Sequence, residues 1–249
     1  MYKVYFVGAG PGDPELLTIK GRRLIDNAKM VIYAGSLVNP VILNGISARI
    51  IDSAPLNLDQ IINFMVEGLA TGNVVRLHTG DPAFYSAIFE QIERLKELNI
   101  SYEVIPGVSS LGASAAAVCA ELTVPGISQT VIITRMEGRT PVPAAENIRG
   151  LAAHRASMAI FLSIGMIEKL RDELLFSYPS TTPIVIVEKA SWPEQRIIRG
   201  TLNDIVDMVN NAGIKKTAMV LVGSALDNNI KDAQFSKLYD KNFKHEFRP

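Results

Sequence analysis

Residues 3 to 18, Lys3-Val-Tyr-Phe-Val-Gly-Ala-Gly-Pro-Gly-Asp-Pro-Glu-Leu-Leu-Thr18, constrain the fold more than any other stretch of the chain. An apolar run, three alternating glycines and an Asp-Pro pair read as a strand, a ligand loop and a helix start. Gly8, Gly10 and Gly12 have no Cβ, so the backbone can turn sharply and a ligand can approach the strand end closely. A dinucleotide-binding fingerprint needs a further glycine at position 13 and an acidic residue closing the next strand. The chain has Asp13 and Tyr33-Ala34-Gly35 at those places, so both requirements fail. A carboxylate at position 13 repels a pyrophosphate, and the loop suits a ligand without phosphate.

The same ending recurs. Val74-Val-Arg-Leu-His-Thr79 runs into Gly80-Asp81-Pro82 and then a long amphipathic segment. Each Asp can cap a helix and each Pro suits the first helical position, which accounts for Asp-Pro but leaves the flanking glycines unexplained. If the two strands are parallel neighbours, both loops reach one crevice at the carboxyl edge of the sheet, where α/β sheets bind ligands. A third junction, Pro106-Gly-Val-Ser-Ser110, follows a strand at 101–105 and places the hydroxyls and N–H groups of Ser109 and Ser110 at a helix start.

Along the chain, apolar residues alternate between strand and helix periods. Strands are expected at 30–33, 49–52 and 73–79, a connection with some helical character at 36–46, and helices on Leu58, Ile61, Ile62, Met65, Leu69 and on Phe84, Ile88, Ile92, Leu95. Thr123-Val-Pro-Gly126 interrupts the pattern, so the expected division is a domain of residues 1–120 and a second of 121–249. The second half predicts strands at 129–134, 157–163, 183–189 and 217–223, with Arg196-Ile-Ile-Arg-Gly200 closing a hairpin after a Trp192-Pro193 turn. Helices are expected around 144–153, 165–176 and 201–212, and a polar tail beyond Asp227. The fold class is therefore α/β, with a mostly parallel first sheet and a mixed second sheet.

A chain of 249 residues, 48% hydrophobic, can bury a substantial core. Lys plus Arg equal Asp plus Glu at 25 each, and no basic stripe is interleaved with aromatics, which argues against nucleic acid as a partner. No apolar run reaches the ~20 residues of a membrane span and the first strand begins without a charged leader, so a cytoplasmic protein with no membrane partner is expected. The single Cys119 lies among alanines and reads as a small packed residue. His78, His154 and His245 lack the spacing of a helix-borne metal site, and no metal is expected.

With both Gly-Asp-Pro loops and Pro106-Gly-Val-Ser-Ser110 in view, the sequence resembles the tetrapyrrole methylases over nearly its whole length. That family carries V-G-x-G-P-G-D, G-D-P and P-G-[IV]-[ST]-[SA] segments in this order, present here as Val7 to Asp13, Gly80 to Pro82 and Pro106 to Ser110. Tyr33-Ala-Gly-Ser-Leu-Val38, Ser128-Gln-Thr-Val-Ile-Ile-Thr-Arg135 and Gly138-Arg-Thr-Pro-Val-Pro143 are similar to the branch that methylates precorrin-4, or its cobalt form, at C-11 in cobalamin synthesis. The resemblance implies two α/β domains with a cofactor cleft between them, a homodimer, and S-adenosylmethionine as the methyl donor. It implies cofactor contacts at Pro11, at Thr79, Gly80 and Asp81, at Phe84, at Ser109 and Ser110, and in the second half at Leu162, Ala190 and Ala218.

S-adenosylmethionine has a sulfonium and an ammonium but no phosphate, which agrees with an acidic loop. Methyl transfer to carbon depends on in-line positioning and water exclusion, so no covalent nucleophile is expected. A tetrapyrrole or corrinoid substrate is rich in carboxylates, and Arg76, Arg135 and Arg139 are the candidates for gripping it. His78 reads either as a proton acceptor at the strand end or as a hydrogen-bonded core histidine. The alternatives are another methylase of the family, acting on uroporphyrinogen III or a different corrin carbon, and a cofactor-sensing module without turnover.

Overall fold

The computed structural model describes residues 2–227 together with Ile230, Ser236, Phe243, Lys244 and Glu246, so the expected polar tail falls largely outside the described residues. The chain forms two compact units. One comprises the residues up to Ala113 together with Lys189–Glu194; the other comprises Ser114–Glu188 and the residues from Gln195 on.

The first unit is built from β1 (Val4–Gly8), α1 (Ile19–Asp26), β2 (Met30–Tyr33), β3 (Arg49–Asp52), α2 (Leu58–Leu69), β4 (Val74–His78), α3 (Ile88–Glu97) and β5 (Tyr102–Ile105). Its five strands are all parallel, in the order β3-β2-β4-β1-β5. Alternation along the strands feeds two cores, one on each face of the sheet. Val7, Val31, Val75, Leu77 and Ile105 pack with Ile25 of α1 and with Val38, Ile42 and Leu43 of the following connection. Val4, Phe6, Met30, Ile32 and Val74 pack with Ile61, Ile62 and Met65 of α2 and Leu95 of α3. Thus β1 leads into a helix on one face while its neighbour β4 leads into a helix on the other. The edge where their carboxyl ends meet is a topological switch point, the place where open α/β sheets bind ligands.

Local chemistry sets the helix boundaries. Asn57 and Gln60 form a reciprocal capping box at the start of α2, each side-chain oxygen accepting the other's N–H at 3.0 Å. The apolar spacing from Phe84 predicts a helix over that residue, but α3 begins only at Ile88. Gly80, Tyr85 and Ala87 have φ of 64°, 52° and 48°, and these left-handed residues keep the 79–87 connection out of the helix.

The second unit contains β6 (Val131–Arg135), α5 (Ile148–Ala152), β7 (Ser157–Phe161), α6 (Ile167–Leu175), β8 (Pro183–Glu188), β9 (Arg196–Thr201), α7 (Ile205–Ala212) and β10 (Ala218–Val222). Its sheet runs β6-β7-β10-β8-β9, with β6 and β7 parallel and the other pairs antiparallel, a mixed sheet as expected. Met158, Ile160, Ile184, Ile186, Val220 and Val222 form one face of its core against α5, α6 and α7. The helix expected around 144–153 is shorter than its pattern. A 3-10 turn covers Ala144–Glu146, and Asn147 then caps α5 by accepting the Gly150 N–H at 2.8 Å. The short helix α4 (Ser110–Ala117) follows β5 and contains the sequence boundary between the two units.

Candidate functional site

The carboxyl ends of β1, β4 and β5 meet closely. Gly10 and Gly80 form an isolated antiparallel bridge, the Gly80 N–H donating to Gly10 O at 2.8 Å and the Gly10 N–H to Gly80 O at 3.2 Å. A Cβ on Gly107 would lie 2.3 Å from Gly80 O and 2.8 Å from Gly8 Cα, so these three loops touch backbone to backbone. Asp81 ties them together. Its Oδ1 accepts the Ala83 N–H at 2.7 Å and its Oδ2 accepts the Gly107 N–H at 2.9 Å. The residue is thus both a turn cap and a brace between the β4 and β5 loops.

The expected cofactor residues of the first unit gather around this bridge. Pro11 and Gly80 are buried, Asp81 and Phe84 are half-buried, and Thr79 is exposed at the end of β4. Ser109 and Ser110 follow Gly107 at the start of α4; Ser109 Oγ accepts the Leu111 N–H at 3.2 Å and its carbonyl accepts the Ala113 N–H at 3.1 Å, a helix cap. Ala190 joins the same unit through Lys189–Glu194 and is buried, flanked by Lys189 and Ser191 at φ 47° and 68°. Such left-handed residues persist only where surrounding contacts hold them. None of the segments 8–14, 79–84 and 106–110 contains a Lys or Arg, whereas Asp13 and Asp81 are both acidic.

Arg76 and His78 occupy a different place. They alternate with Val75 and Leu77 on β4 and therefore face α2 and α3, where both are buried. The Arg76 Nε donates to Gln91 Oε1 at 3.2 Å, and Nη1 has no hydrogen-bond partner among the described residues. Burial pulls the Arg76 guanidinium down to about 10, opposed by the nearby Asp52 carboxylate. Burial, and then the Arg76 charge, push the His78 imidazole down to about 3, against a hydrogen bond with the Ser86 backbone that favours the charged ring. His78 packs on Phe6 with ring centroids 5.9 Å apart. A neutral buried ring at physiological pH fits the core reading of His78, and Arg76 is not presented to solvent.

In the second unit, Leu162 follows β7 at φ 55° with 69% of its surface exposed. Ala218 opens β10 and pairs with Glu188 of β8. The β7–β10 register, Val220 opposite Ile160, carried on by two residues brings Ala218 level with Leu162. The end of β6 lies beside them, since the Met136 N–H donates to Ser163 Oγ at 2.8 Å. There the Arg135 guanidinium donates to the carbonyls of Met136 and Thr140 at 3.2 Å and of Pro141 at 2.7 Å, folding the 136–141 loop around itself. Arg139 is exposed on that loop. A cavity of about 390 Å³ opens next to it, lined in part by Arg135, Glu137, Asn147, Arg149, Lys169 and Glu173. Within the cavity wall Arg149 is neutralised by Glu173 at 3.0 and 3.1 Å, while Lys169 is exposed and belongs to no ion pair among the described residues.

Sequence reasoning missed Asn39, Ser191 and Trp192, all of which hold the first glycine loop. Asn39 Nδ2 donates to Gly12 O at 2.8 Å, Trp192 Nε1 donates to Pro11 O at 2.8 Å, and Ser191 Oγ accepts the Asp13 N–H at 3.0 Å. The only available signal was the presence of the chain's one tryptophan at a turn.

Among the described residues no helix is long and apolar enough to cross a membrane, and no group of three or more His, Cys, Asp or Glu side chains converges as a metal site. Comparison with known proteins gives consistent results. The family model for tetrapyrrole (corrin/porphyrin) methylases matches residues 3–206. The chain is 54% identical to a cobalt-precorrin-4 C(11)-methyltransferase of Methanocaldococcus jannaschii, covering 99% of this chain and 96% of that protein. It is 44% identical to a precorrin-4 C(11)-methyltransferase of Pseudomonas aeruginosa, covering 99% and 98%. Among solved structures, a cobalt precorrin-4 methyltransferase of cobalamin biosynthesis aligns with a TM-score of 0.88 at 44% identity, over 90% of this chain and 96% of that one. A uroporphyrin-III C-methyl transferase from Thermus thermophilus, complexed with S-adenosylhomocysteine, aligns with a TM-score of 0.76 at 28% identity, over 90% and 93%.

Proposed function

The chain belongs to the tetrapyrrole methylase family, and from that premise we propose that it transfers a methyl group from S-adenosylmethionine to C-11 of precorrin-4 or of its cobalt form, a step of cobalamin biosynthesis. The observation that carries this reading is identity held over almost the whole chain to relatives named for that reaction. Sequence similarity to a uroporphyrin-III methylase is much lower, which favours the precorrin-4 position over the alternative substrate.

The first unit's loops fit the cofactor by their chemistry. S-adenosylmethionine supplies an electrophilic methyl on a sulfonium, and it carries a second positive charge on its ammonium. Acidic loops without Lys or Arg, around the Gly10–Gly80 bridge, favour a cation and disfavour a phosphate. Backbone groups carry much of the recognition, because glycines line the strand ends and the carboxylate of Asp81 is already engaged by two N–H groups. Thr79, Phe84, Ser109, Ser110 and Ala190 complete the proposed surface in this unit, and Leu162 and Ala218 are the proposed contacts of the second.

For the substrate, Arg139 is the proposed carboxylate grip, an exposed guanidinium on a loop that Arg135 holds in shape. Lys169 in the neighbouring cavity adds a second cation. No side chain is assigned as a nucleophile: holding donor and acceptor in line, away from water, supplies the rate. The test is incubation with S-adenosylmethionine and cobalt-precorrin-4, with mass spectrometry of the pigment. A product heavier by one methylene is expected, and Arg139→Ala is expected to raise KM for the tetrapyrrole while leaving cofactor affinity nearly unaltered. Turnover of uroporphyrinogen III in place of precorrin-4 would reassign the substrate, and cofactor binding without any turnover would favour a sensing module.

A further inference from the structure

The turn between β8 and β9 is longer and more strained than a hairpin needs. Two-residue turns suffice to join antiparallel strands, yet Lys189–Gln195 intervene and place non-glycine residues Lys189 and Ser191 in the left-handed region. The left-handed region is sterically unfavourable for residues that carry a Cβ, so this shape is retained for the contacts it makes within the first unit. Two of those contacts fall on residues 11 and 13 of the first glycine loop, and Asn39 holds residue 12 between them. Pro11 O is held by Trp192 Nε1–H, Gly12 O by Asn39 Nδ2–H, and Asp13 N–H by Ser191 Oγ. Each residue from 11 to 13 is thus fixed through its backbone by a side chain from outside the loop.

Gly12 shows how closely the indole is seated. A Cβ at this position would lie 2.0 Å from Trp192 Cδ1 and 2.2 Å from Nε1, so the ring occupies the space a side chain would need. Gly12 is not among the residues of positive φ, and its backbone would accept alanine. The requirement for glycine here comes from Trp192. A loop with three glycines is otherwise costly to order when a ligand binds, and holding it beforehand lowers that cost.

We infer that Trp192 is a positioning residue for the cofactor: through its bond to Pro11 O and its seat on Gly12 it pre-forms the Gly8–Asp13 loop proposed to receive S-adenosylmethionine. This rests on the proposed assignment of that loop to the cofactor. Because Trp192 is the only tryptophan, its emission reports on the loop directly.

The experiment titrates the full chain with S-adenosylhomocysteine, following intrinsic fluorescence and heat in parallel, with thermal melts of each variant. In the native chain, Trp192 emission changes on binding and saturates with the calorimetric Kd. Trp192→Phe, which loses the Nε1–H donor, weakens binding by about tenfold, and KM for S-adenosylmethionine rises far more than kcat falls, with the melting temperature little moved. Ser191→Ala, which removes the acceptor for Asp13 N–H, weakens binding in the same direction and gives a second reading should Trp192→Phe fold poorly. Gly12→Ala weakens binding strongly beside Trp192 and much less in a Trp192→Ala background, a non-additivity that marks direct contact. Binding to Trp192→Phe and Ser191→Ala as tight as to the native chain, or emission indifferent to a ligand that calorimetry shows is bound, overturns the positioning role while leaving the functional assignment standing. A native chain that binds no S-adenosylhomocysteine overturns both.

Discussion

At Asp81 the two carboxylate oxygens accept different N–H groups, Ala83 through Oδ1 and Gly107 through Oδ2. Asparagine has one carbonyl oxygen and an NH2 group, so it satisfies one of these donors and confronts the other with a donor. Asp81→Asn is therefore expected to lower stability by about 1–3 kcal/mol and to weaken S-adenosylhomocysteine binding by loosening the β5 loop. A thermal melt paired with calorimetric titration measures both, and a variant with native melting temperature and native Kd contradicts the bracing role. His78 supplies a pH test. Its imidazole, pushed from 6.5 down to about 3, stays neutral in the folded chain but takes up a proton in the unfolded one. Its contribution to stability is therefore complete above about pH 6.5 and is lost as the pH falls toward about 3, with about 3 kcal/mol expected to go between about pH 7 and about pH 4. Denaturant unfolding across that range should show a shallower pH slope for His78→Gln than for the native chain; equal slopes would place the histidine in contact with water.

Elements carry the site through the closeness of three strand ends. Gly107→Ala puts a methyl 2.3 Å from Gly80 O, a backbone atom that cannot move without breaking the Gly10–Gly80 bridge. A destabilisation of about 1–3 kcal/mol is expected, together with loss of cofactor binding, and denaturant unfolding of the variant at native stability would contradict the close approach. The elements themselves were largely legible in the sequence: β2 and β3 fall at 30–33 and 49–52 as the apolar runs predict, and α2 follows its spacing from Leu58 to Leu69. The local signals of strand period, helix period and Asx-Pro starts act within a few residues, and so they can be read from a window. What could not be read depends on distant residues. Arg76 looks like a surface cation until the strand order places it beneath α2 and α3, against Gln91. The left-handed Tyr85 and Ala87 that delay α3 have no glycine or asparagine to announce them. The Trp192-Pro193 turn was visible, but its partner Pro11 lies 181 residues away.

For the molecule as a whole, large apolar side chains remain exposed among the described residues, including Ile19, Phe89, Leu162 and Phe176 at 91%, 70%, 69% and 63%. With the dimeric habit implied by the family resemblance, such surfaces support a proposed homodimer. Light scattering at micromolar concentration should give about twice the 27.1 kDa of one chain, and a purely monomeric species would rule the dimer out. The carbon that receives the methyl group defines the proposed reaction. The most direct measurement is carbon NMR of the product formed from cobalt-precorrin-4 and S-adenosylmethionine labelled with carbon-13 in its methyl group. A single new labelled methyl correlated to C-11 of the macrocycle is expected. Label at any other ring carbon, or label that stays on the cofactor while the chain binds both molecules, would contradict it.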